Sequence, residues 1–252
     1  MSDSDILSVQ ADGEVELLTM NRPDRLNAMN QPMADALLAY FEAKRRDTAC
    51  RVILVRGAGR GFCSGADLKA MGSPEALRDG PNGDWVLRDM LKAMRACPQP
   101  IVSLVHGAAA GGGLAMALAS DVIVAGESAA FHSAFIKIGL SGSELGVAWR
   151  LQRTIGVSAA REMLLTGAPL RAADALRTGL VSRVVPDAAL LETGQALAAE
   201  MLKAAPDALR ISKRTFDAAL EIGDFATALE FEERGQMLMI RQGRVARAAA
   251  ST

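Results

Sequence analysis

The sequence has few cysteines, few aromatic residues and no excess of either charge. Its three cysteines are irregularly spaced and form no C-x-x-C pair, which argues against a disulfide framework, a zinc site or a redox site. The 28 basic and 29 acidic residues nearly cancel, so no overall field attracts nucleic acid or an anionic membrane. No stretch reaches the roughly 18 apolar residues of a membrane span. We therefore expect a cytoplasmic protein without a metal, a membrane or a nucleic acid partner.

Repeats, low-complexity tracts and linkers are also lacking, while apolar residues are abundant. Hydrophobic residues make up 50% of the 252 positions, which is enough to bury a large core. Glycine occurs in short clusters at the ends of predicted elements over the first two thirds of the chain. These features are typical of a globular protein of enzyme size.

The first half of the chain alternates between strand and helix patterns. Asp12-Gly13 is a hairpin signal between β-like runs at 5–9 and 14–20. Buried strands alternate with amphipathic helices downstream, which predicts a largely parallel sheet layered with helices. After residue 144 the pattern is helical, with one strand-like interruption, VSRVV at 181–185. The predicted strands are 51–57, 101–107 and 121–126, and the predicted helices are 31–46, 84–97, 145–155, 158–165, 171–178, 187–204, 207–221 and 225–243.

Two glycine-rich loops each follow a predicted buried strand and lead toward a predicted helix. The first is RGAGRGFCSGADLKA (56–70), and the second is HGAAAGGGLAMALASD (106–121). Such loops expose backbone N–H groups at a helix amino terminus, where the helix dipole favours a negative oxygen. A single loop of this kind is equally consistent with a tight turn that has no role in binding. Two after neighbouring strands predict two N–H groups aimed at one point.

Four segments together resemble the enoyl-CoA hydratase/isomerase, or crotonase, family. They are NRPDRLNAMN (21–30), GFCSGADLK (61–69), the glycine triplet (111–113) and REMLLTGAPLRAADALRTGLVSRVV (161–185). The resemblance implies an α/β fold, a crotonase-type spiral of ββα units over 1–190. It also implies a helical carboxy-terminal trimerisation region over 191–252, and hence a homotrimer or a dimer of trimers.

The resemblance also assigns roles in binding an acyl-CoA thioester, with coenzyme A as part of the substrate and no separate cofactor. The N–H groups of Ala66 and Gly112 would form an oxyanion hole for the thioester enolate. Lys69 would contact a CoA phosphate or be a solvated surface lysine, and His132 would either line the pocket or be structural. The other substrate-binding residues implied are Asn27, Ala28, Asp67, Leu68, Gly111 and Phe135.

The sequence departs from the family where hydratases carry two glutamates that hold and activate water. Those positions are Ala115 and, by an ungapped count, Phe135, neither of which can bind or deprotonate water. Glu144 remains nearby, as a catalytic acid or simply as a first-turn acid of a helix. One acid suffices to move a proton between carbons, so the leading hypothesis is isomerisation of 3-enoyl-CoA to 2-enoyl-CoA. The alternatives are hydration, decarboxylation, thioester hydrolysis, dehalogenation, or a non-catalytic CoA- or RNA-binding role.

Overall fold

The computed structural model describes residues 6–70 and 83–241, with side chains omitted at 83–85. Its strands are β1 (Leu7–Asp12), β2 (Val15–Met20), β3 (Val52–Gly57), β4 (Ile101–Val105), β5 (Ala108–Ala110), β6 (Val122–Gly126), β7 (Ala130–His132), β8 (Leu170–Arg171) and β9 (Arg183–Val185). Its helices over those residues are α1 (Gln31–Lys44), α2 (Gly83–Ala96), α3 (Gly112–Ala119), α4 (Val147–Ile155), α5 (Val157–Thr166), α6 (Ala172–Arg177), α7 (Leu190–Leu202), α8 (Pro206–Ala219) and α9 (Phe225–Arg241).

A six-stranded sheet forms the centre of the fold, in the order β1-β2-β3-β4-β6-β9. Only the β1–β2 pair is antiparallel, and its tight turn contains Gly13 in the left-handed region, so the predicted hairpin is confirmed. The other pairs are parallel. The residues of β4 are all buried, as expected for a strand covered by helices on both faces. The predicted parallel sheet is therefore confirmed.

A second, three-stranded sheet, β5-β7-β8, was not predicted from the sequence. Its strands have two or three residues and are too short to show a period of two. The prediction that 181–185 is the only strand in the second half is therefore wrong, since β8 precedes it. An isolated parallel bridge joins Cys63 to Ala109 of β5 and extends this sheet. The pairs β4 and β5, β6 and β7, and β8 and β9 each have one strand in either sheet, so the chain advances as a spiral.

The predicted helices are present with shifted ends, and two interpretations require correction. Glu144 does not begin a helix, because α4 starts at Val147 after two residues in the left-handed region, Leu145 and Gly146. The helical spacing of Trp149 from Leu145 and Arg153 predicts a core position, but Trp149 is 37% exposed, with Arg153 stacked on its ring. The helix expected to follow the first glycine loop has not begun by Ala70, because residues 68–70 form a turn. Residues 71–82 lie outside the described part of the chain.

The carboxy-terminal helices differ in how they attach to the sheets. Helix α7 packs on the first sheet, where Leu190 and Ala198 join the strand side chains in a buried cluster. Helices α8 and α9 contain no buried residue. Helix α8 is held by polar contacts, including an ion pair of 2.8 Å between Lys213 and Asp121. Over the described residues, none of the helices combines the length and apolar character needed to cross a bilayer.

Candidate active site

The first glycine loop is held by two polar side chains from the segment after β2. Asn27, itself in the left-handed region, donates through Nδ2 to the carbonyls of Ala58 (2.8 Å) and Gly61 (2.9 Å). Its Oδ1 accepts from the backbone N–H of Arg22 at 2.9 Å. The Arg22 guanidinium donates to the carbonyl of Ala28 and forms a 2.9 Å ion pair with Asp67. Asn27 is fully buried, so its side chain acts by fixing the loop.

The two glycine loops pack backbone against backbone at two glycines. Gly65 has φ +96°, and a Cβ there would lie 2.8 Å from the Ala110 carbonyl oxygen and 3.2 Å from the Gly112 nitrogen. A Cβ on Gly113 would lie only 2.2 Å from the carbonyl oxygen of Cys63. Because real Cβ atoms do not approach backbone this closely, glycine is what allows the loops to meet.

Where the loops meet, two N–H groups have no hydrogen-bond acceptor among the described residues. Ala66 forms an isolated parallel bridge with Met29, in which the bonded amides are those of Met29 and Asp67. The N–H of Ala66 therefore points away from that bridge. Gly112 is the first residue of α3, and the first amide to bond within that helix is Ala115, to Gly111. An N–H at such a position has no intrahelical acceptor.

Gly111 is held in place by the second sheet. Its N–H donates to the carbonyl of His132 at 3.1 Å, and its φ of +51° turns the chain into α3. The ring of Phe135 covers it, lying 3.7 Å from a Cβ position on Gly111. Phe135 is buried and presents only apolar atoms to this glycine.

Glu144 lies on a loop that is anchored at Gly142. The buried hydroxyl of Ser133, just after β7, donates to the Gly142 carbonyl at 2.9 Å. A Cβ on Gly142 would meet the Leu164 carbonyl oxygen at 2.1 Å, so the loop lies directly against α5. Leu145 adopts φ +52°, a costly conformation for a residue with a side chain. The Glu144 carboxylate is exposed, and within the described ranges it accepts only from the Leu145 amide, at 3.3 Å.

A cavity of about 720 Å³ lies between α2, α3, α4 and α8, and both Ala115 and Glu144 line it. Ala115 is 3% exposed and sits one helical turn after Gly111 and Gly112. The cavity therefore begins beside the second glycine loop. Its lining residues are Arg88, Leu91, Lys92, Arg95, Ala96, Ala115, Leu118, Ala119, Glu144, Leu145, Gly146, Trp149, Arg150 and Asp217.

Glu144 is the one site residue named from the sequence that lies in this cavity lining, and Ala66 and Gly112 are among those outside it. Ala28 is buried beside the first loop, whereas Leu68 and Lys69 are exposed on the turn that follows it. His132 is half-buried, and burial together with nearby Lys137 and Arg171 lowers the pKa of its imidazole. Its backbone carbonyl, rather than its ring, has a clear role, because it holds Gly111.

Cys63 is buried between the loops, and burial raises the pKa of its thiol to about 12. A thiol in that state is a packing group and a weak hydrogen-bond partner, since nucleophilic cysteines need a low pKa. The sequence interpretation missed Arg22, Ser133 and Arg150. Arg22 lies within the NRPDRLNAMN segment, so that segment could have pointed to it, while the other two carry no local signal.

The sequence of residues 10–248 matches the family model described as enoyl-CoA hydratase/isomerase. The chain belongs to this family. The protein named "Probable enoyl-CoA hydratase EchA12" from Mycobacterium tuberculosis is 38% identical over 232 residues, covering 90% of this chain and 81% of that protein. The membership confirms the resemblance found in the sequence and shows that the chain is of an enzyme family.

Solved structures of this family also match the model. An enoyl-CoA hydratase from Bacillus anthracis superimposes with a TM-score of 0.88 at 29% identity, covering 94% of this chain and 91% of that one. A monofunctional enoyl CoA isomerase from M. smegmatis gives a TM-score of 0.77 at 38% identity, covering 89% and 98%. The predicted crotonase-type fold is thereby confirmed. Both a hydratase and an isomerase share it, so the fold alone does not select the reaction.

Proposed function

We propose that this enzyme binds an acyl-CoA thioester and isomerises a 3-enoyl-CoA to a 2-enoyl-CoA, with Glu144 as the catalytic acid and base. The observation that carries the proposal is the distribution of carboxylates around the cavity. Of its described lining residues only Glu144 and Asp217 have carboxylates, and Asp217 is ion-paired with Arg95. Glu144 is thus the carboxylate available to a bound acyl group.

The two N–H groups of Ala66 and Gly112 supply the other half of the reaction. The thioester oxygen would accept from both, which stabilises the negative charge that forms when a proton leaves C2. Glu144 removes that proton, and the electron pair of the C2–H bond delocalises through the thioester and the adjacent double bond. The protonated Glu144 then returns the proton to C4, and the double bond moves to C2–C3. No water takes part.

Hydration is disfavoured by the groups at the two positions where a hydratase carries glutamates. Ala115 offers a methyl group and Phe135 an aromatic ring, so neither accepts a hydrogen bond from water. A single carboxylate can shuttle a proton between two carbons, but the pair that holds and deprotonates a water molecule is lacking at these positions. This favours isomerisation over the hydratase alternative.

The test compares wild type with Glu144→Gln on 3-enoyl and 2-enoyl thioesters. The amide keeps the shape of the side chain and removes the base, so the isomerisation rate should fall by about 10²–10⁴. Binding of a saturated acyl-CoA, measured by calorimetry, should persist through the backbone donors.

Glu162→Gln is the matched control, because Glu162 is an exposed carboxylate on α5 that lies outside the cavity lining. It should isomerise at the wild-type rate. Equal rates in wild type and Glu144→Gln, or efficient hydration by the wild type, would contradict the proposal.

A further inference from the structure

The cavity begins at Ala115, about one helical turn after Gly112, and runs along one face of α3. Ala115, Leu118 and Ala119 line it at helical spacing and present only small or apolar groups. From Gly112 to Ala119 the helix advances about 10 Å, at 1.5 Å per residue. A thioester oxygen held at Gly112 would therefore send its acyl group along this face, away from the loops.

The lining of the cavity carries an excess of positive charge. Its described lining includes four cationic residues, Arg88, Lys92, Arg95 and Arg150, but only two carboxylates, Glu144 and Asp217. An apolar acyl chain would gain nothing from cations around its end. Partly buried charges interact more strongly than charges in open water, so this excess favours an anionic group there.

Arg150 is the cation within this group whose charge is left without an ion pair in the described part of the chain. It is half-buried on α4, and the acidic side chains that act on it electrostatically are Asp217 and Asp121. Each of those carboxylates already has a closer cation, since Asp217 is paired with Arg95 and Asp121 with Lys213. No ion pair or side-chain hydrogen bond joins the Arg150 guanidinium to any of the described residues.

The surroundings of Arg150 confirm that its charge is only partly compensated. Burial and the neighbouring Arg95 lower the pKa of the guanidinium, whereas Asp217 and Asp121 act in the opposite direction. An arginine nevertheless stays protonated in proteins. A half-buried guanidinium with unused donors is costly unless a ligand accepts from it.

Building on the proposed function, we propose that the acyl group of the substrate ends in a carboxylate, and that Arg150 binds this carboxylate within the cavity. The planar fork of a guanidinium matches the two oxygens of a carboxylate. The substrate class is then a CoA thioester of a dicarboxylic acid. Arg150 acts as a specificity-determining residue beside the carboxy-terminal end of α3, and that end lies about 10 Å from Gly112 by the rise of the helix.

The experiment measures binding by calorimetry with pairs of saturated CoA thioesters of equal chain length, one ending in a methyl group and the other in a carboxylate. Saturated thioesters cannot isomerise, so binding is separated from turnover. A hydrogen-bonded charge pair corresponds to about 10–100-fold in affinity, and we expect the carboxylate-ended thioester of the best length to bind at least about tenfold tighter.

Arg150→Gln should abolish this preference and leave the affinity for the methyl-ended thioester unchanged. Arg150→Lys keeps the positive charge but lacks the planar guanidinium, so it should retain part of the preference. Partial retention would show that the loss in Arg150→Gln does not come from a folding defect. Arg153→Gln is the control, because Arg153 lies on the same helix, stacks on Trp149 and is not part of the cavity lining. It should keep the full preference.

Equal or tighter binding of the methyl-ended thioester, or a preference that survives in Arg150→Gln, would overturn the inference. If one of these binding results is found but the wild type still isomerises 3-enoyl thioesters and Glu144→Gln does not, only the inference about Arg150 fails. If the preference is present but no isomerisation is found, only the proposed reaction fails. If neither thioester binds, both fail.

Discussion

Three glycines at the meeting of the two loops have different physical roles, although they look alike in the sequence. Gly65 needs both a positive φ and the space for a neighbouring backbone. Gly113 has an ordinary φ but touches the Cys63 carbonyl. At Gly112 a Cβ would meet the terminal methyl group of Met29 at 2.7 Å, and a methionine side chain can move aside. Substitutions at these positions should therefore separate stability from activity.

Gly113→Ala should destabilise the protein by about 1–3 kcal/mol or more, because the added methyl group meets backbone that cannot move alone. Urea unfolding measures the loss. Gly223→Ala is the control, since its Cβ would have no atom within 4 Å. Equal unfolding midpoints for the two variants would refute the close approach of the loops.

Gly112→Val should fold, because Met29 can shift, but its branched side chain should displace the N–H at the start of α3. Loss of one oxyanion donor typically costs about 10²–10³ in rate, and we expect a loss of activity up to that size. Gly223→Val provides the comparison on the same thioester assay. A folded Gly112→Val with full activity would show that the oxyanion hole lies elsewhere.

The cysteines offer a chemical test of burial. Cys50, Cys63 and Cys97 are buried, and desolvation raises the pKa of each thiol, to about 12 for Cys50 and Cys63. At pH 8 the thiolate fraction in the folded protein is then very small, so iodoacetamide should not label the three cysteines. Mass spectrometry should find three labels after denaturation. Rapid labelling of Cys63 in the folded protein would contradict its packing role.

At the scale of elements, the site depends on connections between segments that are distant in the sequence. The segment after β2 is joined to the first glycine loop by Arg22 and Asp67, whose side chains are only 15% and 12% exposed. The loop that carries Glu144 is joined to the end of β7 by Ser133. The spiral brings these segments together, so the catalytic geometry is a property of how the elements pack.

Arg22→Met should leave the Asp67 carboxylate buried without its partner and lower the free energy of unfolding by about 1.5–3 kcal/mol, the usual range for a hydrogen bond to a charged group. Arg25→Met, at an exposed position three residues later, should change it little. Denaturant unfolding measures the free energy of unfolding of both variants. Equal values for the two would show that the ion pair does not hold the loop.

At the scale of the whole molecule, the carboxy-terminal helices leave apolar surface uncovered. Phe216, Phe225, Leu229 and Leu238 on α8 and α9 are each more than half exposed. Exposed apolar groups in such number mark an interaction surface, and the predicted homotrimer or dimer of trimers would bury them. This assembly stays a prediction, as does the division of the chain at residue 190.

Light scattering should therefore give the mass of a trimer or a hexamer, and Phe225→Glu with Leu229→Glu should reduce it by placing charge in the interface. Glu230→Gln, one residue away on α9, is the control and should assemble normally. A wild-type monomer at micromolar concentration would defeat this prediction.

The sequence by itself determined the family, the parallel sheet, the helical carboxy terminus and the two glycine loops, because these depend on local patterns and quoted motifs. The second sheet was not predicted, because its strands of two or three residues are too short to show an alternating pattern. Tertiary structure alone placed Glu144 and Ala115 in one cavity, turned the Asn27 side chain inward and paired Asp67 with Arg22. It also left the Arg150 guanidinium, in the lining of that cavity, without an ion pair to any residue in the described part of the chain. Such facts depend on distances between residues far apart in the chain, and those distances exist only once the elements have packed.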